Sequence, residues 1–175
     1  MKYSTFLFVF FSFFLSLAQE QCDNPVSMEY SWNNTTLKAM YCGQLDDTNE
    51  PSGFGKMIYE NTDFSVDFSE GYWKDGKLNG EGMEVRRDGR IYEGIYVNDQ
   101  ILSGTYTREQ QGVFYKGEFK DDFFHGENGS LTITRDNVVI TREGLFKKGQ
   151  LFEGIINKTT DSYVKTKKGN FFNNE

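Results

Sequence analysis

Aromatic and apolar residues alternate with charged ones along most of this chain. Tyr92, Gly94 and Tyr96 fall on one side of an extended segment with Glu93 on the other, and Tyr115, Gly117 and Phe119 repeat the arrangement against Lys116 and Glu118. A period of two puts successive side chains on opposite faces, so these segments predict β-strands. No window outside the amino-terminal leader holds a helical period. Pairs suited to tight turns stand between the strands. Asp75-Gly76, Asp88-Gly89, Lys148-Gly149 and Lys168-Gly169 supply the positive φ of two-residue hairpin loops, and Asn98-Asp99, Asp121-Asp122 and Asp136-Asn137 are the next most tolerant pairs.

The pattern repeats. Gly71, Gly94 and Gly117 are 23 residues apart in both intervals, inside the cores Glu70-Gly71-Tyr72-Trp73, Tyr92-Glu93-Gly94-Ile95-Tyr96 and Tyr115-Lys116-Gly117-Glu118-Phe119. Tyr41-Cys42-Gly43-Gln44-Leu45 is an earlier copy 28 residues upstream, and Glu143-Gly144-Leu145-Phe146 a later one 27 downstream. A second glycine cluster follows each anchor by nine or ten residues, from Gly53-Phe54-Gly55 to Gly154-Ile155-Ile156. Each unit therefore reads as strand, tight turn, strand. Glycine inside a strand weakens it unless packing requires the space. The expectation is that Gly71, Gly94 and Gly117 make room for rings, with Tyr72, Trp73, Tyr92, Tyr96, Tyr115 and Phe119 stacked as a ladder along one face. Such a ladder would let a chain that is 17% aromatic build a core without long apolar strands.

These residues resemble the MORN (membrane occupation and recognition nexus) repeat: Tyr-x-Gly-x-aromatic, a turn glycine, Gly-x-Gly, then Asp-Gly leading into the next copy. Glu70 to Gly94 (EGYWKDGKLNGEGMEVRRDGRIYEG) carries nearly every element, and about five copies extend over Tyr41 to Phe172. Departures occur where Ser69 and Arg142 stand for the first tyrosine and Asp99 and Asp122 for the turn glycine. The resemblance implies an all-β protein, an elongated single-layer antiparallel sheet of successive β-hairpins with an aromatic-lined groove. It also implies a non-catalytic binding or scaffold module whose partner is a protein segment or a second copy of itself. Arrays of this kind contact only their neighbours and need caps at their ends.

The amino terminus changes the setting. Met1-Lys2, the apolar run Phe6 to Leu17 and the small residues Ser16-Leu17-Ala18 have the form of a cleaved signal peptide, too short to span a bilayer. The chain divides into 1–18 as leader, 19–40 as lead-in and cap, 41–172 as repeat domain and 173–175 as a polar tail. Its compartment is then secreted or periplasmic. There the two cysteines, Cys22 and Cys42, can persist as a disulfide tying the mature terminus to the first repeat.

A formal charge of −7 disfavours nucleic acid and anionic head groups, which need clustered lysine and arginine. The run Lys165-Thr166-Lys167-Lys168 reads as a solvated turn, as do Asp46-Asp47 and Asp121-Asp122. His125, the single histidine, sits where Asn79 stands in the preceding pattern and reads as a repeat position. No catalytic, metal or cofactor site is expected. Asn33, Asn34, Asn128 and Asn157 fit Asn-x-Ser/Thr and would carry glycans in a eukaryotic secretory route. Two other function classes remain: a secreted glycan-active hydrolase or lectin, using carboxylates and aromatic platforms, and a peripheral membrane-attachment module.

Overall fold

The protein's computed structural model describes residues 25–32, 35–60 and 65–171. The leader, Cys22, Asn33, Asn34 and the tail 173–175 lie outside them.

Twelve strands form one antiparallel sheet in which each pairs only with its neighbours in sequence. They are β1 (Val26–Trp32), β2 (Thr35–Leu45), β3 (Pro51–Tyr59), β4 (Val66–Lys74), β5 (Lys77–Arg86) and β6 (Ile91–Val97), followed by β7 (Gln100–Arg108), β8 (Val113–Lys120), β9 (Phe123–Arg135), β10 (Val138–Lys147), β11 (Gln150–Thr159) and β12 (Val164–Asn170). A single 3-10 turn, Glu109–Gln111, joins β7 to β8. The lead-in contributes β1 and the first half of β2. Asp75, Asn98, Asp99, Asp121, Asp122, Asp136 and Lys148 all take positive φ at the turns between strands. Lys168-Gly169 does not turn: it lies inside β12, and so does the basic run Lys165 to Lys168.

One row of glycines crosses the sheet at right angles to the strands. Gly43, Gly55, Gly71, Gly82, Gly94, Gly104 and Gly117 face one another in succession from β2 to β8, and Gly129, Gly144, Gly154 and Gly169 continue from β9 to β12. A Cβ on Gly117 would come within 3.1 Å of Gly129 Cα, which closes the row across β8 and β9. What fills the missing side-chain space differs along it. Tyr41 lies over Gly43 and Gly55, and Tyr115 over Gly117 and Gly129. At Gly71 and Gly94 the neighbour is backbone, so there the glycine makes room for a strand and not for a ring.

Beside this row the register slips within each hairpin: Gly71 faces Gly82 but Trp73 faces Leu78, and Ile95 faces Ser103 but Tyr96 faces Ile101. Slips of one to three residues occur at the corresponding place in the β2–β3, β8–β9 and β10–β11 hairpins. Extra residues on one strand bend it and increase the local twist. These bends, with a further slip on the same side between β9 and β10 and one on the far side between Val66 and Phe68, coil the sheet enough for a single layer to bury one of its own faces.

Contacts between strands that do not pair record the coiling. Tyr30 of β1 meets Trp73 of β4 at a ring separation of 6.4 Å, Tyr92 of β6 meets Phe119 of β8 at 6.0 Å, and Tyr115 of β8 meets Phe146 of β10 at 5.3 Å. Most of these pairs are edge-to-face, the geometry that ring quadrupoles prefer, with each pair contributing roughly 0.5–1.5 kcal/mol beyond its buried area. Tyr115 and Phe124 stack nearly parallel at 4.0 Å.

Candidate binding surfaces

Two faces compete as the binding surface, and burial separates them. Trp73, Tyr92, Tyr96, Tyr115 and Phe119 share the inward face and are nearly inaccessible, with Trp73 at 3% and Tyr115 at 0% exposure. Hydrogen bonds fix several of them. The Trp73 indole N–H donates to the Gly55 carbonyl at 3.0 Å, and the Tyr96 hydroxyl donates to the Tyr92 carbonyl at 3.3 Å. The Tyr115 hydroxyl lies 2.9 Å from the His125 carbonyl and shares its proton with that of Glu118; burial pushes its pKa up to about 12. These rings are the core. An open aromatic groove is therefore not what the inward face offers.

Tyr72 departs from the ladder. It precedes Trp73 directly, and neighbouring strand residues point to opposite faces. Its ring stands on the outer face, 50% exposed, edge-on to Phe54 at 5.5 Å. The inward partners that sequence reasoning missed are Leu78, Ile101, Phe124 and Leu151, which follow the turns and face Trp73, Tyr96, Phe119 and Phe146. A signal for them existed, because Leu78, Ile101 and Phe124 repeat the same 23-residue step as the glycines.

The outer face carries an apolar row. Met40, Ile58, Phe68, Val85 and Ile91 are direct cross-strand partners in succession over β2 to β6. Beyond Ile91 the same row becomes Thr107, Phe114, Thr132, Thr141, Asn157 and Thr166, largely polar. Ile58, Phe54, Ile95 and Phe114 are each at least 40% exposed. Lys56 lies across this surface, 3.9 Å from the Phe68 ring and 3.3 Å from the Glu70 carboxylate.

Inside the coil, Glu84, Arg86, Tyr92, Tyr96, Asp99, Ile101 and Asp122 line a small polar cavity. Arg86 binds Glu84 at 2.6 Å and reaches Asp122 of the β8–β9 turn at 3.5 Å, with its guanidinium 4.6 Å from the Tyr92 ring centre. The Asp99 carboxylate accepts the Leu78 N–H at 2.8 Å and faces the Tyr30 hydroxyl. Burial raises the pKa of both Glu84 and Asp99, and Arg86 opposes that rise at Glu84. Asp99 and Asp122 tether turns of the coil to β5, and Glu84 holds the Arg86 guanidinium on its own strand; these are structural tasks. Among the described residues no group of His, Cys, Asp and Glu is arranged to hold a metal ion.

His125 lies half-buried on β9, where its carbonyl serves Tyr115. Asn128 is exposed beside the glycine row, and Asn157 sits in the polar part of the outer row, accepting the Thr166 hydroxyl at 2.8 Å. Cys42 is half-buried on β2, and no cysteine among the described residues is free.

A family model described as MORN repeat matches residues 70–89 and 115–127. Each match covers a tight turn with the inward pair that flanks it, Trp73 with Leu78 in the first and Phe119 with Phe124 in the second. Such repeats serve as protein- or membrane-binding modules. The family model thus finds MORN repeats at those two hairpins.

Proposed function

We propose that this protein is an exported, non-catalytic scaffold that binds a partner polypeptide on the outer face of β2 to β6. The observation behind this reading is that the aromatic ladder is consumed by the core, while the bounded row Met40, Ile58, Phe68, Val85 and Ile91 on the other side is only half-buried, with Ile58 exposed. An apolar stripe rimmed by Lys56, Glu70 and Glu81 has the anatomy of a protein interface: an apolar centre that excludes water and a charged rim that orients the partner. The leader directs the chain out of the cytoplasm, and the Cys22–Cys42 bridge ties the mature terminus to β2.

The test is crosslinking in the native compartment, comparing the wild type with a Phe54→Asp/Ile58→Asp variant of unchanged thermal stability. A polypeptide crosslinked to the wild type and absent from the variant supports the assignment. Equal capture by both overturns it.

A further inference from the structure

The inward face changes character at the carboxyl-terminal end of the sheet. Arg142 of β10, Lys158 of β11 and Lys165 and Lys167 of β12 lie on the side shared by the row glycines Gly144, Gly154 and Gly169, two or four residues from them. Arg142 faces Ile156, which faces Lys167; Ile140 faces Lys158, which faces Lys165. None of the four has an anionic partner among the described residues, and the Arg142 Nε–H is buried without an acceptor. Glu143 and Glu153 are on the opposite face, and Asp161 in the nearby turn accepts from the Asn137 amide at 2.7 Å.

Lysines protect sheet edges against unwanted pairing, and β12 is an edge. That accounts for Lys165 and Lys167 alone. Lys158 and Arg142 belong to interior strands, and placing Lys158 directly opposite Lys165 sets like charges against each other, which costs stability. Every residue of β12 is exposed, and among the described residues its outward N–H and C=O groups face no strand. Gly169 adds a second observation. A Cβ on each preceding glycine of the row would come within 3.1 Å of another atom, whereas a Cβ on Gly169 meets nothing within 4 Å. The row thus leaves room for a further strand that the described residues do not supply.

We infer that the β12 edge accepts an extended acidic peptide segment of another protein as a thirteenth strand. Main-chain hydrogen bonds to β12 supply affinity, and alternate side chains supply specificity. Carboxylates two residues apart sit beside Lys165 and Lys167, with Lys158 one strand further in, and a glycine faces Gly169. The motif is Gly-x-acid-x-acid. A second copy of this chain does not fit through the same edge, since β12 against β12 opposes lysine to lysine. A flat anionic bilayer fits poorly as well, because the cations are on the inward side of a coiled sheet.

The probe is a fluorescent peptide carrying Gly-Thr-Glu-Thr-Glu, titrated into the mature full chain and followed by anisotropy. Binding should weaken with salt and fall about tenfold or more in Lys158→Gln/Lys167→Gln, with thermal stability kept. It should also be lost when the peptide amides facing β12 are N-methylated. Equal binding of the Glu→Gln peptide, indifference to N-methylation, or displacement of the peptide by phosphatidylserine vesicles each overturns the proposal. Phe54→Asp/Ile58→Asp leaves this binding intact, so failure here and failure of the outer-face assignment are separable.

Discussion

Gly94 of β6 and Gly104 of β7 face each other so closely that a Cβ on Gly94 would stand 2.7 Å from Gly104 Cα and nearer still to the Ser103 carbonyl oxygen. Both obstacles are backbone, which cannot rotate aside as a side chain can. Gly94→Ala should therefore cost about 3 kcal/mol, the upper end for overpacking, and Gly94→Val more. Gly169→Ala meets no such obstacle and should cost clearly less, although its φ of 150° disfavours a side chain. Denaturant unfolding of the two alanine variants checks this, and equal losses would contradict the close-approach account.

Adjacent residues of β4 offer a second contrast. Trp73→Ala removes a buried ring and its hydrogen bond to Gly55 and should lose about 3–5 kcal/mol. Tyr72→Ala removes a half-exposed ring from the outer face and should lose under about 1 kcal/mol. Chemical denaturation of both variants reads the difference, and similar losses would mean that the faces are misassigned.

Much of this fold is legible in the sequence because glycine and turn residues report local backbone demands at a fixed spacing. Gly71, Gly94 and Gly117 announce the period, and Asp75-Gly76 and Asp121-Asp122 announce the turns. What is hidden arises between strands. That Gly82 and Gly104 continue one row with Gly71 and Gly94 depends on register, and no single strand reveals register. The bulge that sets Trp73 opposite Leu78 is likewise a property of the pair. Alternation places Tyr72 and Trp73 on opposite faces, yet not which face the coil will bury. Lys165 to Lys168 misleads in the other direction: lysine and glycine together resemble a turn, and only pairing with β11 makes the segment a strand.

Asp99 makes stability depend on pH with a definite sign. Burial holds its carboxyl above the ordinary value of 3.8, so the native state binds this proton more tightly than the unfolded state does. The contribution of Asp99 therefore increases as pH falls from neutrality through the raised pKa, and levels off below the ordinary value. Asp99→Asn, whose amide oxygen can still accept the Leu78 N–H, should remove that dependence. Melting temperatures of the two proteins compared from about pH 7 to about pH 4 should show the wild type gaining on the variant; a constant difference would contradict the assignment.

The proposed Cys22–Cys42 bridge closes a loop of about 20 residues and should contribute roughly 3 kcal/mol in the chain-entropy model. A reductant should lower the melting temperature of the wild type and leave that of Cys42→Ser unchanged. A wild type indifferent to reductant would remove the bridge from the account.

The claim that the rings build the core while the opposite face meets partners is tested most directly by hydroxyl-radical footprinting of the free protein. Tyr72, Phe54 and Phe114 should be modified quickly, and Trp73, Tyr41, Tyr115 and Phe146 only slowly. Modification of Trp73 and Tyr115 as fast as Tyr72 would show an open aromatic groove and contradict it.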